Sequence, residues 1–314
     1  MMPAACVLHV YNACMNASTL SLDAALNADL HCHSTVSDGT QSPEWLAQRA
    51  ADNGVRLWAL TDHDEVAGCA RAAAAAAALQ LPFLAGVEIS ITYIDKTVHI
   101  VGLGVDPEHP GLVEGLRRTR GGRDERAREI AQQLAEAGIP GAYEGALKFV
   151  GNPDLISRSH FARFLVEVGA CADVPEVFRH YLTEGKPGFV PHRWASLEQA
   201  VQWITDAGGV AIIAHPARYD FTPQEEHILF SRFKELGGQG VEVMTSSHSE
   251  AEVQKYAQMA RDYGLYASRG SDFHSPDESR IDLGTLPALP GGLQPVWQLL
   301  GKRIRYPHTA STGA

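Results

Sequence analysis

The sequence predicts an α/β fold of parallel β/α units that is interrupted by a helical insertion. Short apolar runs of strand length alternate with helical segments before residue 106 and after residue 188, whereas the pattern between them is helical throughout. Histidines and acidic residues also collect at the ends of the predicted strands. In a β/α barrel these ends converge on the face that carries the chemistry, so the predicted architecture is barrel-like.

The composition is that of an ordinary globular protein and excludes several classes. The 314 residues suffice for one large domain with an insertion or for two domains. A formal net charge of −11 argues against a protein that coats nucleic acid, although a local basic pocket for a small anion is compatible with it. The 5 cysteines include no CxxC pair, so we expect no disulfide framework, no structural zinc site and a cytoplasmic location.

Both ends of the chain are predicted to lie outside the main fold. Residues 1–27 are mildly apolar and carry no Lys or Arg, whereas a secretory signal begins with a positively charged segment. No stretch reaches the roughly 18 apolar residues of a membrane span. We expect a weakly ordered extension over 1–27, a tail over 291–314 and no membrane association.

The first strand leads into the sequence ADLHCHSTVSDG at residues 28–39. Side chains two residues apart in a strand point to the same side, so His31 and His33 could hold one ion together. Asp38 follows a Ser/Thr-rich turn and could fold back towards them. The alternative is a strand end with two incidental histidines, because such short patterns recur by chance.

The next elements follow in order. Ser42, Pro43 and Glu44 form a helix start, and Gly54 ends that helix after about Asn53. The run VRLWAL predicts a strand, and the alanine-rich residues 66–79 predict a helix. Two further strands are predicted from PFLAGVEIS and TVHIVGLGVD.

A helical segment without a convincing strand is predicted from about 106 to 188. Leu112, Leu116, Ile130 and Leu134 lie near helical spacing, and SHFARFLVEVG and VPEVFRHYL predict two shorter helices. The run RRTRGGRDERAR within this segment is interpreted as an exposed helix of mixed charge. We expect this insertion to form a cap domain.

Alternation then resumes and completes the predicted barrel. A helix with Ser196 as its N-cap precedes the strand GVAIIAHP, and helices of about 223–236 and 249–263 flank the strand GVEVM. The last strand is LYASRGSDFH. The predicted barrel domain therefore comprises residues 28–105 and 189–290.

The acidic and histidine residues at the strand ends predict a polynuclear metal site. Six of the 14 histidines belong to this set when His33 and His99 are counted with it, and a chance scatter would fall equally on helices and strand starts. The residues at or near strand ends are His31, His63, Glu88, His215, Asp272 and His274.

The sequence resembles the polymerase-and-histidinol-phosphatase (PHP) family of metal-dependent phosphoesterases in six motifs. In chain order these are DLHCHSTVSDG, LTDHD, GVEIS, VHIVGLG, IIAHP and SDFH. The resemblance implies a distorted seven-stranded (β/α)7 barrel with two to three divalent metal ions. It implies nine ligands: His31, His33, Asp38, His63, Glu88, His99, His215, Asp272 and His274.

The resemblance also implies how these ligands are grouped. One ion would take His31, His33, Glu88 and Asp272, the second Glu88, His99 and His215, and the third Asp38, His63 and His274. Imidazole and carboxylate ligands suit Mn²⁺, our first choice, with Zn²⁺, Fe²⁺ or Mg²⁺ as alternatives. Asp62 and Asp64 could orient imidazoles or belong to a polar loop beside a helix.

Cationic and polar residues outside this ligand set are candidates for binding phosphate, since arginine offers a bidentate fork and lysine a point charge. For each, the alternative is a solvated charge or a partner on a helix face. The candidates are Asn152, Ser157, Arg158, His160, Lys186, His192, Arg193, Arg218 and His248.

Two further segments resemble those of family members that carry an inserted helical domain, namely NPDLISRSHFAR and YLTEGKPGFVPHRWAS. These family members include a 3′,5′-nucleotide bisphosphate phosphatase and a 5′-to-3′ exoribonuclease. We therefore expect hydrolysis of the 3′-phosphate of nucleoside 3′,5′-bisphosphates by a hydroxide on the metals, with Glu88, Asp272 and His215 as the catalytic core. The alternatives are an exoribonuclease on short oligoribonucleotides, a phosphatase of the histidinol-phosphate type and a non-catalytic metal-binding module. The expected partner is a small phosphorylated nucleotide or short RNA, and no stable protein partner is implied.

Overall fold

The computed structural model describes residues 20–307 and contains one seven-stranded sheet whose strands follow one another in chain order. The expected weak order of residues 1–27 lies outside the described residues up to residue 19. Within the remainder, Leu26 is buried, and Leu20 and Leu22 pack against the main hydrophobic core. The tail predicted from residue 291 is described as far as residue 307, and Val296 and Trp297 are buried in the same core.

The observed elements confirm the α/β fold class. The strands are β1 (Ala28–Asp29), β2 (Leu57–Leu60), β3 (Phe83–Tyr93), β4 (Lys96–Leu103), β5 (Val210–Ile213), β6 (Gly240–Thr245) and β7 (Tyr266–Gly270). The α-helices are α1 (Pro43–Asp52), α2 (Cys69–Ala78), α3 (Pro110–Arg120), α4 (Arg123–Glu136), α5 (Ala142–Leu147), α6 (Arg158–Glu167), α7 (Val174–Val177), α8 (Leu197–Asp206), α9 (Pro223–Glu235) and α10 (Glu250–Asp262). Short 3₁₀ turns occupy Pro153–Leu155, Pro216–Tyr219 and Val296–Gln298, and a π-helical turn occupies Phe178–Leu182.

Local side-chain chemistry explains where the helices begin. The Ser42 hydroxyl accepts a hydrogen bond from the Trp45 amide, and Pro43 takes the first helical position of α1. At α8, Ser196 and Gln199 cap each other's amides reciprocally. These caps pin the starts of two helices that cover the sheet.

One strand runs against the predicted direction. β3 and β5 are both antiparallel to β4, whereas all other neighbours are parallel. The expectation of parallel β/α units throughout is therefore wrong at β4. Only Ile94 and Asp95 connect β3 to β4, both with positive φ, and a parallel crossover needs a dozen or more residues. The hairpin places His99 opposite Ser90, two residues along β3 from Glu88.

The barrel is nearly closed by hydrogen bonds between its first and last strands. The Leu30 amide donates to the Arg269 carbonyl (3.1 Å), and the Asp272 amide donates to the His31 carbonyl (2.7 Å). The His33 amide in turn donates to the Phe273 carbonyl (2.9 Å). This seam places the two histidines of the first motif beside the acidic end of β7.

The described residues contain two separate hydrophobic cores. The main core surrounds the sheet and includes Leu112 and Leu116 of α3, while the second runs from Ala127 to Val190. The segment from 106 to 188 contains helices and turns and, within the described chain, no strand. The domain boundaries at 106 and 188 stay a prediction, and α3 packs on the barrel rather than within the second core. Among residues 20–307, every helix is too short or too polar to span a bilayer.

Gly270 is required by the close approach of strands at the seam. A Cβ atom at this position would lie 2.3 Å from His31 Cβ and 2.7 Å from the His31 amide nitrogen. We expect Gly270→Ala to lower the free energy of unfolding by about 1–3 kcal/mol, because backbone atoms must move apart. Urea unfolding measures this loss.

Gly291→Ala is the matched control, since a Cβ there meets nothing within 4 Å. That variant should stay within about 0.5 kcal/mol of the wild-type protein. Equal stabilities of the two variants would contradict the tight seam.

Candidate metal centre and active-site cavity

The side chain of Glu88 lies fully buried at the middle of a group of imidazoles. Its Oε2 lies 3.2 Å from Nε2 of both His31 and His33 and 3.0 Å from His63 Nδ1. Its Oε1 lies 3.0 Å from His99 Nδ1 and 2.9 Å from His215 Nε2. One carboxylate therefore contacts five histidines from four separate segments of the chain.

Three overlapping groups within residues 20–307 could hold a metal ion, since their ligand atoms lie within 4.8 Å of one another. Cluster 1 is His31, His33, Glu88 and Asp272; cluster 2 is His63, Glu88 and His99; cluster 3 is His33, Asp38, His63 and His274. The structure thus brings all nine predicted ligands together. His63 is shared by clusters 2 and 3, and His215 joins cluster 2 through Glu88. Their assignment as ligands stays a prediction.

The donor atoms of this centre fit metal ions because many of them have no hydrogen-bond partner. Buried polar side-chain atoms in folded proteins are bonded in the large majority of cases. Here the buried atoms without a hydrogen-bond partner are His33 Nδ1, Asp38 Oδ1, His63 Nδ1, Glu88 Oε2 and His99 Nδ1. Nε2 of His31 also faces Nε2 of His33 at 3.2 Å, so a proton or a cation must lie between these nitrogens.

The electrostatics of the centre agree with a need for cations. Burial raises the pKa of Glu88, but the neighbouring His31, His63 and His99 outweigh it and bring that pKa well below its usual value. Burial likewise disfavours a charged His33, yet Asp272 and Glu88 raise its pKa to about 10. The buried carboxylates therefore stay ionised and require positive charge nearby.

Glu242, on β6, is a supporting residue that the sequence reasoning missed. Its Oε1 lies 2.8 Å from His31 Nδ1, and its Oε2 accepts the His215 amide (2.7 Å). If His31 Nδ1 donates its proton to Glu242, the lone pair of Nε2 is left free to bind a cation beside Glu88. The signal was available, because GVEVM places one acidic residue inside an otherwise apolar strand.

Asp62 and Asp64 do not orient imidazoles. Asp62 accepts hydrogen bonds from the Ser34 amide (2.7 Å) and from the Ser37 hydroxyl (2.7 Å), which shape the loop before Asp38. Asp64 accepts from the Ser90 amide (2.8 Å) and pairs with Arg123. Both carboxylates fix loops, so of the two interpretations left open by the sequence, the polar loop is the one that these contacts support.

Two of the predicted ligands have strained backbones. His215 has φ +24° and Asp272 has φ +54°, a region that non-glycine residues rarely adopt. Such strain concentrates at functional sites, where the surrounding structure enforces it. The amide of each residue is held, by Glu242 and by the His31 carbonyl respectively.

A cavity of about 540 Å³ opens above the metal centre and is lined by both the barrel and the insertion. Glu88, His99 and Asp272 belong to its lining on the barrel side. The insertion contributes the arginine wall, which we define as Arg123, Arg126 and Arg158.

Arg123 of the arginine wall pairs with Asp64, whereas the other two cations of the wall bond to backbone carbonyls. Arg126 Nε donates to the Val190 carbonyl (2.9 Å) and Arg158 Nη1 to the Leu182 carbonyl (3.1 Å). Among the described residues neither forms an ion pair with a carboxylate. Burial and then the charges of Arg158 and Arg123 lower the pKa of Arg126 to about 9. Arg126 is buried and Arg158 is half-buried, and a charge held away from water is costly unless an opposite charge pairs with it.

The exposed helix predicted from RRTRGGRDERAR is only partly correct. Arg117 and Arg118 are exposed and pair with Glu114. Arg123 and Arg126, by contrast, are only 6% and 9% exposed and face the cavity. The run spans the end of α3 and the start of α4, so its periodicity changes at the break between the helices.

Three predicted substrate-binding residues line the cavity, namely Ser157, Arg158 and Arg218. Arg218 Nη2 lies 2.5 Å from Asp272 Oδ2, at the floor beside the metal centre. The other lining residues contributed by the insertion include Ser159, Phe178 and Thr183, and Trp194 follows it. Sequence reasoning did not select these four.

The remaining candidates lie outside the cavity lining. Lys186 and Arg193 are exposed, so solvent surrounds their charges. Asn152 caps a 3₁₀ turn, and His160 is buried and caps α6 together with Ser157. The last two support other groups: His192 packs on Trp194, and His248 accepts the Ala217 amide behind the Arg218 loop.

Comparison with known proteins agrees with this geometry. The family model described as PHP domain matches residues 29–137. The chain is 52% identical over 281 residues to a 3′,5′-nucleoside bisphosphate phosphatase of Chromobacterium violaceum, covering 90% of this chain and 99% of that protein. It is 42% identical to the 5′-3′ exoribonuclease Rnm of Salmonella typhimurium, covering 90% of this chain and 97% of the relative.

A solved structure has a similar fold. It is an amidohydrolase from Chromobacterium violaceum with bound sulfate and no metal, 51% identical in sequence. It superposes with a TM-score of 0.88 over 90% of this chain and 99% of its own.

We expect Glu242→Gln to weaken metal binding by about 10- to 100-fold, because the amide no longer fixes the ring of His31 as firmly. Titration with Mn²⁺, followed by metal analysis after dialysis, measures this change. Glu250→Gln, on the exposed first turn of α10, is the control. Wild-type affinity in Glu242→Gln would contradict the supporting role.

Proposed function

The chain belongs to the PHP family of metal-dependent phosphoesterases, and on that premise we propose that it removes the 3′-phosphate from nucleoside 3′,5′-bisphosphates such as phosphoadenosine phosphate. It is then a phosphoric monoester hydrolase. Water adds across the bond between phosphorus and the 3′-oxygen, which leaves a 5′-mononucleotide with a free 3′-hydroxyl and inorganic phosphate.

The observation that carries this proposal is the two-sided cavity. Its barrel side holds the carboxylates and imidazoles around Glu88, and its insertion side holds the arginine wall. A substrate with two phosphates satisfies both sides, whereas a monophosphate leaves one side without a partner. We assign the cleaved phosphate to the metal side and the 5′-phosphate to Arg126 and Arg158.

The nine predicted ligands are proposed to hold two to three divalent ions, with Mn²⁺ preferred over Zn²⁺, Fe²⁺ or Mg²⁺ because the donors mix imidazole nitrogen with carboxylate oxygen. Bound ions supply a lowered pKa for water and neutralise phosphoryl oxygens. Each oxygen of Glu88 faces a different set of histidines, so Glu88 would serve as a ligand to more than one ion. Asp272 and His215 complete the proposed catalytic core, with Arg218 beside Asp272 available to bind an oxygen of the cleaved phosphate.

A 5′-to-3′ exoribonuclease is the second candidate, favoured by the relatives that carry that name. The arginine wall would hold the 5′-phosphate of an RNA end in the same way. Turnover of a series from the bisphosphate to a pentanucleotide separates the two activities. A phosphatase of the histidinol-phosphate type is less well supported, because a single phosphate gives the arginine wall no partner. A non-catalytic module does not account for the complete donor set.

The first experiment measures phosphate release from adenosine 3′,5′-bisphosphate by the Mn²⁺-loaded protein. Glu88→Gln should lose at least about 100-fold in kcat, because it removes the bridging charge. The control is Glu65→Gln, outside the clusters. Full activity of Glu88→Gln would contradict the assignment of Glu88 as a metal ligand.

The division of labour between the two sides predicts a substrate-dependent loss. Arg126→Ala and Arg158→Ala should each lower kcat/KM for the bisphosphate by about 10- to 150-fold, the effect of about 1.5–3 kcal/mol for a lost charge-assisted contact. For a nucleoside 3′-monophosphate the loss should be small, because that substrate lacks the 5′-phosphate.

Arg128→Ala is the matched control, since Arg128 is exposed on the same helix and pairs with Asp124. Lys186→Ala should also behave as wild type, because Lys186 lies outside the cavity lining. Equal losses on both substrates would place Arg126 and Arg158 at the cleaved phosphate or in the scaffold.

A further inference from the structure

Cluster 3 is the part of the metal centre that touches the helical insertion. We propose that Ser159, at the start of α6, is a positioning residue for the third ion, so that this ion binds tightly only when the insertion is seated on the barrel. The inference rests on the proposed function, because it requires a metal-dependent centre. It adds a division between ions held by the barrel and one held jointly with the insertion.

Asp38 is one of the two residues that belong to cluster 3 alone. Its Oδ2 accepts hydrogen bonds from the Ser159 hydroxyl (3.0 Å) and, at 3.5 Å, from the Ser157 hydroxyl. Its Oδ1 has no hydrogen-bond partner and lies 3.4 Å from His274 Nε2. The insertion therefore holds one oxygen of a buried carboxylate and leaves the other for an ion.

His274 is the other residue exclusive to cluster 3, and its loop is tied to the same helix. The His274 amide donates to the Ser279 hydroxyl (2.9 Å). The adjacent Glu278 accepts two hydrogen bonds from Arg163 of α6, at 2.6 and 2.8 Å. Arg163 is only 7% exposed, so this pair is a fixed joint between insertion and barrel.

Cluster 1 is built differently. His31 lies just after β1, Glu88 on β3 and Asp272 just after β7, and Glu242 on β6 supports His31. Among residues 20–307, no side-chain hydrogen bond joins His31, Glu88 or Asp272 to the segment 106–188. The barrel alone fixes this set.

This arrangement couples the third ion to the position of α6. If seating the insertion strengthens the binding of that ion, then the ion strengthens the seating by the same factor. The arginine wall lies on the same insertion, so a substrate that spans the cavity would contact both the barrel and the insertion and favour the seated position. The affinity for the third ion should therefore respond to changes in α6 that leave the other ions unaffected.

The test counts bound ions rather than activity. Wild type, Ser159→Ala and Ser159→Thr are dialysed against a series of free Mn²⁺ concentrations, and metal per chain is measured by mass spectrometry. Ser159→Ala should weaken the last binding step by about 10- to 100-fold and leave the earlier steps unchanged. Ser159→Thr keeps the hydroxyl and should restore the last step.

Two further variants separate positioning from general destabilisation. Glu278→Gln should weaken the last step in the same direction, because it loosens the joint to Arg163. Glu167→Gln removes the pair with Lys148 on the exposed end of the same helix and should bind as wild type does.

Equal weakening of all steps in Ser159→Ala, or an unchanged last step, overturns the inference, as does a wild-type protein that saturates at two ions. A selective loss of the last step in a protein that fails to hydrolyse the bisphosphate supports the inference and overturns the proposed function.

Discussion

The structure depends on one constraint, the burial of the Glu88 carboxylate among five histidines. A carboxylate without water is tolerated only where positive charge and donors surround it. The barrel supplies both from strands that are far apart in sequence. The strand directions, the close approach at Gly270 and the hairpin after β3 together bring these strands to Glu88. Glu242 is a second buried carboxylate whose oxygens are bonded in this way, since it contacts the His31 ring and accepts the His215 amide.

The helical insertion adds a second set of side chains to the cavity above the barrel. Its own core lets it fold as a body with a fixed inner surface, and that surface carries the arginine wall at one place and the Ser159 hydroxyl at another. The cavity of about 540 Å³ is therefore lined by carboxylates from the barrel and by cations from the insertion. A small molecule with two phosphates, joined by a ribose, matches this polarity better than one with a single phosphate.

Sequence patterns predicted the parts of this architecture that local chemistry controls. Strand and helix order followed from periodicity and caps such as Ser42 and Ser196, and the motifs identified the nine clustered residues. The direction of β4 was wrong because a two-residue connection was not weighed against the length that a crossover needs. Arg126 was missed and Lys186 chosen because only tertiary packing decides which cation of a helical segment faces the cavity.

The central claim is that the metals and the arginine wall receive different phosphates. The most direct measurement is a crystal structure with Mn²⁺ and a nucleoside 5′-monophosphate, the proposed product, using anomalous scattering to locate the metal. The account predicts manganese peaks beside Glu88 and the 5′-phosphate against Arg126 and Arg158. A 5′-phosphate bound to manganese, with the arginines contacting solvent, would contradict it.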